Sequence, residues 1–433
     1  MSTSWDQLHQ AIKRRGIAYS SDLQADLGVS QATVSRLLKS MGRRLYRLGK
    51  GRNTRYSLIN SLFSRQPLYR ISPSGTPVRL TEIAPLIDDR YAVQPNQPVW
   101  LAGLENTGLY DSLPYFLDDL RPQGFLGRQI ARQLGAPWPT DPRRWNSAQV
   151  FTYLMQHGAD LPGDLVLGHP ALDTALQSPQ ITAVDDYPGL AEQVLSGPVP
   201  GSSAGGEQPK FTAFGEAGHV IVKFSPRGNG AEATRWRDIL IAEHHAGQIL
   251  QETGLAAADS RLHELNERIF LEVVRFDRKG ETGRCAMISL AAIDAEFCGE
   301  GRDWTTTLQQ LTQMKWVEPT DLQTASYAQQ FGQWIGNTDM HLGNLSFQPG
   351  TTHFSLLPLY DMAPMRWAPV RGELPQDTAP PPPVRNSQNE QVWYDSGKLA
   401  VEYWRRLTDE TRLSPAFRRI AGRLCKGINN ILA

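Results

Sequence analysis

Three polar side chains at fixed spacing constrain this chain more than any other feature. Gly336-Asn337-Thr338-Asp339-Met340-His341-Leu342-Gly343-Asn344 sets an Asp and an Asn five residues apart. Leu357-Pro358-Leu359-Tyr360-Asp361-Met362-Ala363 then adds a second Asp, 17 residues beyond that Asn. Asp, Asn and Gly are also the commonest turn residues, so the nine residues alone read equally well as a polar loop between helices.

Phosphoryl transfer from ATP needs such a set. A carboxylate orients the attacking hydroxyl and receives its proton, while an amide oxygen and a second carboxylate hold Mg²⁺ against the phosphates. In that reading Asp339 is the base, and Asn344 with Asp361 are the metal ligands. The offset matches the D-x-x-x-x-N loop of protein kinases, and Tyr-Asp-Met-Ala stands where D-F-G would.

Two upstream stretches give the motif context. Gly197 to Lys210 has the Gly/Ser composition of a loop whose backbone N–H groups close on phosphates, or of a plain linker. It is not a Walker A loop, because Lys210 sits between Pro209 and Phe211. Phe211–Phe214 and His219–Phe224 then read as a hairpin with Lys223 near the end of an apolar strand, where a kinase keeps its phosphate-pairing lysine. Residues 239–250 read as a helix carrying Glu243, either the partner of Lys223 or an exposed carboxylate. The strand Arg268 to Arg278 fits a hinge, with Phe276 as a wall for the adenine.

At 433 residues the chain exceeds one ordinary core, so two or three domains are expected. The formal net charge of zero conceals a polarity: residues 1–65 hold 12 Lys and Arg against 3 Asp and Glu, and the remainder 32 against 41. One end is therefore suited to a polyanion. Cys285, Cys298 and Cys425 show no paired spacing, which argues for reduced thiols rather than a disulfide framework. No run approaches the ~18 apolar residues of a membrane span, so a cytoplasmic protein without a membrane partner is expected.

Within the basic head, Trp5, Leu8 and Ile12 mark a first helix, and Ser21 precedes a second that runs through Leu27 to a C-cap at Gly28. Ser30 caps a third, in which Val34, Leu37, Leu38 and Met41 share a face. Arg44–Leu48 and Thr54–Leu58 form two strands around Gly49–Asn53. This pattern resembles the winged helix-turn-helix of bacterial regulators, whose third helix enters the major groove. Gln31, Thr33, Ser35 and Arg36 are the candidates for base edges, with Lys39 on the same helix face, and Arg43, Arg44, Lys50, Arg52 and Arg55 are those for phosphates.

The middle shows a hairpin candidate, Leu68–Ile71 with Pro77–Leu80, and a helical stretch from Phe116 to Leu134 broken near Pro122. Asp118 and Asp119 read there as surface or capping carboxylates. Beyond Asp361, Gln376 to Gln388 with its four prolines reads as a mobile segment or a polyproline II surface loop.

Four motifs in order, Ser203-x-x-Gly206-x-Gln208-x-Lys210, Arg275-Phe276-Asp277-Arg278, Asp339-x-His341-x-x-Asn344 and Tyr360-Asp361, give the chain from about residue 66 onward a resemblance to the HipA family of toxin-like serine/threonine kinases. The resemblance implies an α+β, two-lobed kinase-like fold with an all-helical C-terminal lobe. The expected divisions are 1–65 for the head, 66–275 for an N-terminal lobe with a mixed sheet, and 276–433 for the C-terminal lobe. It implies ATP and Mg²⁺ as cofactors, with Ser203, Gly206, Gln208, Lys210, Lys223, Phe276 and His341 on the nucleotide. It further implies protein targets such as aminoacyl-tRNA synthetases, an antitoxin partner, and autophosphorylation of Ser203 that switches nucleotide binding off.

Two departures stand out. Gly343 occupies a position where the family often has Lys, which removes a cation near the γ-phosphate and passes that role toward Lys210. A DNA-binding head is fused to the kinase, where the family uses a separate antitoxin. The expectation is a growth-inhibiting protein kinase with a head for double-stranded DNA, with a homodimer as one open arrangement. Its rivals are a DNA-binding regulator whose kinase fold senses nucleotide without transfer, and a kinase for a small metabolite.

Overall fold

The computed structural model describes residues 5–49, 51–94, 97–196 and 208–433, apart from the side chain of Arg52. The expectations for Lys50, Ser203, Gly206 and the Arg52 side chain therefore lie outside the described residues.

In the head, helices Trp5–Arg15, Ser20–Leu27 and Gln31–Ser40 pack around Leu8, Ile12, Leu23, Val34 and Leu38. The caps expected from sequence are present: the Ser30 hydroxyl accepts from the Thr33 amide, and Gly28 takes the left-handed conformation at φ 62°. A three-stranded sheet closes the core, with Arg55–Leu58 between Leu45–Leu48 and Ala18–Tyr19. The last of these strands has no sequence signal, since two residues are too short for a period-two pattern.

The head is stitched to the adjoining domain. Ile59 bridges Leu86, and the Ile87 amide donates to the Leu58 carbonyl at 3.1 Å. Tyr46 and Leu48 are buried against Ala84, Leu86 and Ala92, so one face of the hairpin belongs to that domain.

The region expected as one lobe with a mixed sheet holds two separate, wholly antiparallel sheets. The first runs Leu109–Tyr110, Tyr91–Val93, Pro77–Pro85, Gln66–Ile71, Leu165–Leu167, and includes the expected hairpin with a bulge at Leu68/Tyr69. Helix Gly124–Leu134 begins after the Pro122 break. The second sheet runs Ser260–Leu265, Arg268–Val274, Gly218–Phe224, Lys210–Gly215. The 22-residue helix Ala231–Glu252 packs on it with Trp236, Ile239, Leu240, Ala246 and Ile249 buried.

The hinge strand stops at Val274, short of Arg278. The Arg275 amide still donates to the His219 carbonyl at 2.9 Å, while the side chains of Arg275, Asp277 and Arg278 form a buried ion cluster: Arg275 reaches Asp160 at 2.7 Å and Asp277 at 2.9 Å, and Arg278 reaches Asp277 at 2.6 Å. Buried charges are tolerated when paired and hydrogen-bonded, as these are.

The C-terminal lobe is mostly but not wholly helical, which corrects the all-helical expectation. Helices Leu290–Phe297, Trp304–Gln313, Pro319–Trp334, Glu390–Asp409 and Pro415–Leu432 enclose Trp404, Leu407, Phe417 and Ile420. Beside them lies a sheet of Ile288–Ser289, Ser346–Pro349 and Phe354–Leu356. Its hairpin closes where the Gly350 amide donates to the His353 carbonyl at 2.8 Å, with Phe347 and Phe354 fully buried beneath. No described helix is long and apolar enough to cross a membrane.

Candidate active site

Strand register places the first cation. Lys223 lies opposite Lys210 on one side and Leu271 on the other, so both lysines sit on neighbouring strands at the same level. Lys223 is buried at 7% exposure, and its Nζ lies 2.5 Å from Glu243 Oε1 and 2.5 Å from Asp361 Oδ1. An ammonium taken out of water holds its charge only with such partners. Glu243 is thus a buried partner of Lys223, not an exposed helix carboxylate.

The three groups set one another's protonation. Burial would lower the Lys223 ammonium, but Asp361 and Glu243 outweigh it and hold its pKa above the usual lysine range. Burial would likewise raise Asp361, and here Lys223 and then Lys210 win and hold it below the usual carboxylate range. For Glu243 burial prevails over the pull of Lys223, with Asp361 pushing the same way, so its carboxyl is raised.

Asp361 also sits at φ 56°, a left-handed conformation that few side-chain-bearing residues adopt. Asn337, buried at 6%, spans the gap to the loop: its Nδ2 donates to the Asp361 carbonyl at 3.3 Å, and its Oδ1 accepts from the Asp339 amide at 3.0 Å. The Asn344 Nδ2 donates to the Asp339 carbonyl at 2.7 Å, which leaves its Oδ1 as an acceptor. Asp361, Asp339 and Asn344 are thereby joined in one hydrogen-bonded chain.

Sequence reasoning passes over Asn337 as a functional residue. It lies inside the motif but reads as a turn residue, because nothing local marks which turn amides become buried. Removing it leaves the Asp361 carbonyl and the Asp339 amide without their partner. Asn337→Ala is expected to lower stability by about 1–3 kcal/mol in urea unfolding, and an unchanged midpoint would show that the bridge carries no weight.

Asp339 itself is open, with 58% of its side chain exposed at the mouth of this arrangement. Partial loss of hydration raises its pKa; His341 opposes, Asp361 reinforces, and Lys210 and Lys223 oppose more weakly. His341 Nε2 lies 3.9 Å from the Asp339 carboxylate, and its Nδ1 accepts from the Gly343 amide at 3.0 Å, so this residue shapes the loop and flanks Asp339. Trp304 Nε1 anchors the loop by donating to the His341 carbonyl at 3.0 Å.

The remaining expected positions converge less tightly. Phe276 faces Tyr360 with ring centres 5.7 Å apart, and Tyr360 donates to the Gly343 carbonyl at 3.0 Å. Gln208 bonds the Phe224 carbonyl through its Nε2, next to Lys223 in sequence. Asp119, expected as a surface or capping carboxylate of its own helix, turns instead to Ser289, the cap residue of the helix that starts at Leu290: it accepts from the Ser289 amide at 2.8 Å and from its hydroxyl.

In the head, Gln31, Ser35, Arg36 and Lys39 are exposed, while Thr33 is half-buried with its hydroxyl 3.2 Å from that of Ser30. Arg44 stacks on Trp5 at 5.4 Å. The segment expected as mobile is pinned by Trp393 Nε1 donating to the Pro383 carbonyl at 2.8 Å and by Arg423 on Asp377. A cavity of about 310 Å³ lies elsewhere, lined by Asp160, Phe214, His219, Arg278 and Arg284 among others.

The donors suit a hard divalent cation and a polyphosphate. Asp361 and the Asn344 oxygen are oxygen ligands of the kind Mg²⁺ takes alongside substrate phosphates. Among the described residues no cluster of three His, Cys, Asp or Glu offers a self-contained protein metal site. Lys223 and Lys210 supply two cations on the facing strands.

Comparison with known proteins agrees with this geometry. Residues 62–176 match the family described as YjjJ-like toxin, middle domain, and residues 202–431 match the HipA-like C-terminal domain. Toxin YjjJ of Escherichia coli (strain K12) is 34% identical over 438 residues, covering 96% of each chain. A chain from the solved Shewanella oneidensis MR-1 complex of HipA, HipB and operator DNA superposes with a TM-score of 0.57 at 15% identity, covering 84% of this chain and 95% of that one, a likeness of fold. With these matches and the joined Lys223, Glu243, Asp339, Asn344 and Asp361, the chain belongs to the HipA-like toxin family.

Proposed function

We propose that this HipA-type toxin is an ATP- and Mg²⁺-dependent protein serine/threonine kinase with a DNA-binding head. The observation that carries the reading is Lys223, buried between Glu243 and Asp361, with Asp361 tied through Asn337 to Asp339 and Asn344. Lys223 and Lys210 bind and orient the phosphates, Asn344 and Asp361 would hold the metal, and Asp339 takes the proton from the acceptor hydroxyl. Mg²⁺, when bound, would neutralise charge on the phosphates.

Lys210 compensates for Gly343. Its field acts on Glu243, Asp339 and Asp361 alike, so a second cation reaches the acidic group without a lysine in the loop. Asp339 is open enough to meet a protein hydroxyl. Ser203, by its motif position, is the site of autophosphorylation, and a phosphate there would place about −1.5 to −2 charges where nucleotide phosphates belong.

Purified chain incubated with γ-³²P-ATP and Mg²⁺ is expected to label itself or added protein. Chelating the metal, or the change Asp361→Asn, should reduce the label by about 10²-fold or more, as loss of a charge clamp on the transferring group does. ATP binding with no transfer would support the nucleotide-sensing regulator instead. Label confined to small molecules would support a metabolite kinase.

For the head we place the DNA contact on the exposed Gln31, Ser35, Arg36 and Lys39 of the third helix, with the basic hairpin on phosphates. Affinity for duplex DNA should then fall by about 10³-fold or more between 50 and 200 mM salt, for six or more phosphate contacts. Affinity flat in salt, measured by fluorescence anisotropy, would remove the head from DNA. An antitoxin partner and a homodimer belong to the same reading, as the family implies.

A further inference from the structure

Beyond Asp361 the chain carries a threonine already seated on an arginine. Arg366 donates from Nε to the Thr378 carbonyl at 2.9 Å and from Nη2 to the Thr378 Oγ1 at 2.7 Å. One position earlier, Arg423 grips Asp377 with two prongs, at 3.0 and 2.5 Å. Thr378 is exposed. Among the described residues Arg366 forms no ion pair with a carboxylate, so its charge is directed at a neutral hydroxyl.

Arg366 is also tied to the loop that holds the candidate base. Its amide donates to the Gly336 carbonyl at 3.0 Å, and Gly336 precedes the bridging Asn337. Gly336 has φ 73°, and a Cβ there would come within 2.7 Å of the Trp367 ring, so this contact is close and fixed. Thr378 is therefore connected to Asp339 through Arg366, Gly336 and Asn337.

We propose that Thr378 is a phosphate-acceptor site of this chain, the phosphate being held by Arg366 and Arg423, and that its occupancy stiffens the tie to the catalytic loop at Gly336. The inference rests on the kinase reading for its phosphate donor. The guanidinium fork matches a phosphate better than a hydroxyl, because its parallel N–H donors can meet two anionic oxygens at once. A phosphate of about −1.5 to −2 charges would draw Arg423 from the single charge of Asp377. In the transfer, Thr378 Oγ1 bonds to the γ-phosphorus of ATP as the bond from that phosphorus to the bridging oxygen breaks. ADP leaves with the electron pair, and the hydroxyl proton passes to Asp339 of the transferring copy.

The test uses the full-length chain in two forms. After incubation with Mg²⁺ and ATP, phosphopeptide mapping is expected to find phosphate on Thr378 in the wild type and none in Asp339→Asn. Label on other residues with Thr378 bare overturns the acceptor assignment. Label nowhere, on this chain or on added protein, overturns the kinase reading and the donor with it. Independently, chain with phosphothreonine installed at position 378 during translation is expected to exchange the amides of 336–339 and 366–378 about tenfold more slowly than unmodified chain. Arg366→Gln with Arg423→Gln should erase that slowing. Unchanged or faster exchange overturns the phosphate seat, whatever supplied the phosphate.

Discussion

Lys223→Met is expected to lower the stability of the fold by about 3–5 kcal/mol, the usual penalty for removing one partner of a buried ion pair, and to leave transfer undetectable. Methionine keeps most of the stem but leaves Glu243 and Asp361 facing the same buried space with no cation between them. Two carboxylates so placed cannot both stay ionised.

The variant should therefore show a pH dependence of opposite sign to that of Asp361 in the wild type. With Lys223 present, Asp361 is held below its unfolded value, so its contribution is present above that value and lost as pH falls through the acid range. Without Lys223, a carboxyl raised above its unfolded value takes up a proton in the folded state. Its contribution is then present at low pH and lost as pH rises through the folded pKa. Urea unfolding at pH 5 and pH 8 should find the deficit larger at pH 8. The double change Lys223→Met with Glu243→Leu should recover part of the stability and none of the transfer. A single variant as stable as the wild type at both pH values would show that the buried pair does not form.

The second large effect belongs to Asp339→Asn. Loss of a general base typically removes 10²–10⁴-fold in rate, and a fall of about that size is expected here. Because the side chain is largely exposed, stability should change little, which separates this variant from the last. Lost hydration raises the Asp339 carboxyl, with His341 opposing, so transfer in the wild type should rise with pH through a value above the ordinary aspartate range and then level off. The Asn variant should lack that rise. Transfer at the wild-type rate would remove Asp339 from the base position.

Much of this is legible in one dimension. The helices of the head, the capping by Ser30 and Gly28, the hairpin carrying Lys223 and the helix carrying Glu243 arise from periodicity and turn chemistry, whose causes lie within a few residues. The offset from Asp339 to Asn344 reports a loop geometry that is itself local. Other features are not legible for the opposite reason. The sheet in the C-terminal lobe pairs strands more than 50 residues apart in sequence, Ile288–Ser289 with Ser346–Phe347. Arg275, just past the end of the hinge strand, takes as its partner Asp160, 115 positions away.

Residue types, their order and their local geometry were determined by the sequence alone: which side chains carry charge, which turns close, and that a strand lysine precedes an Asp, an Asn and an Asp. Which of these groups meet was decided only by the tertiary structure. Lys223 and Asp361 are 138 positions apart, and nothing in either neighbourhood says that both will be buried. Desolvation makes the pairing obligatory once they are. That cost arises only when the second sheet and the C-terminal lobe close on each other, so the choice between an exposed Glu243 and a buried partner of Lys223, and the recruitment of Asn337 as a bridge, belong to the fold.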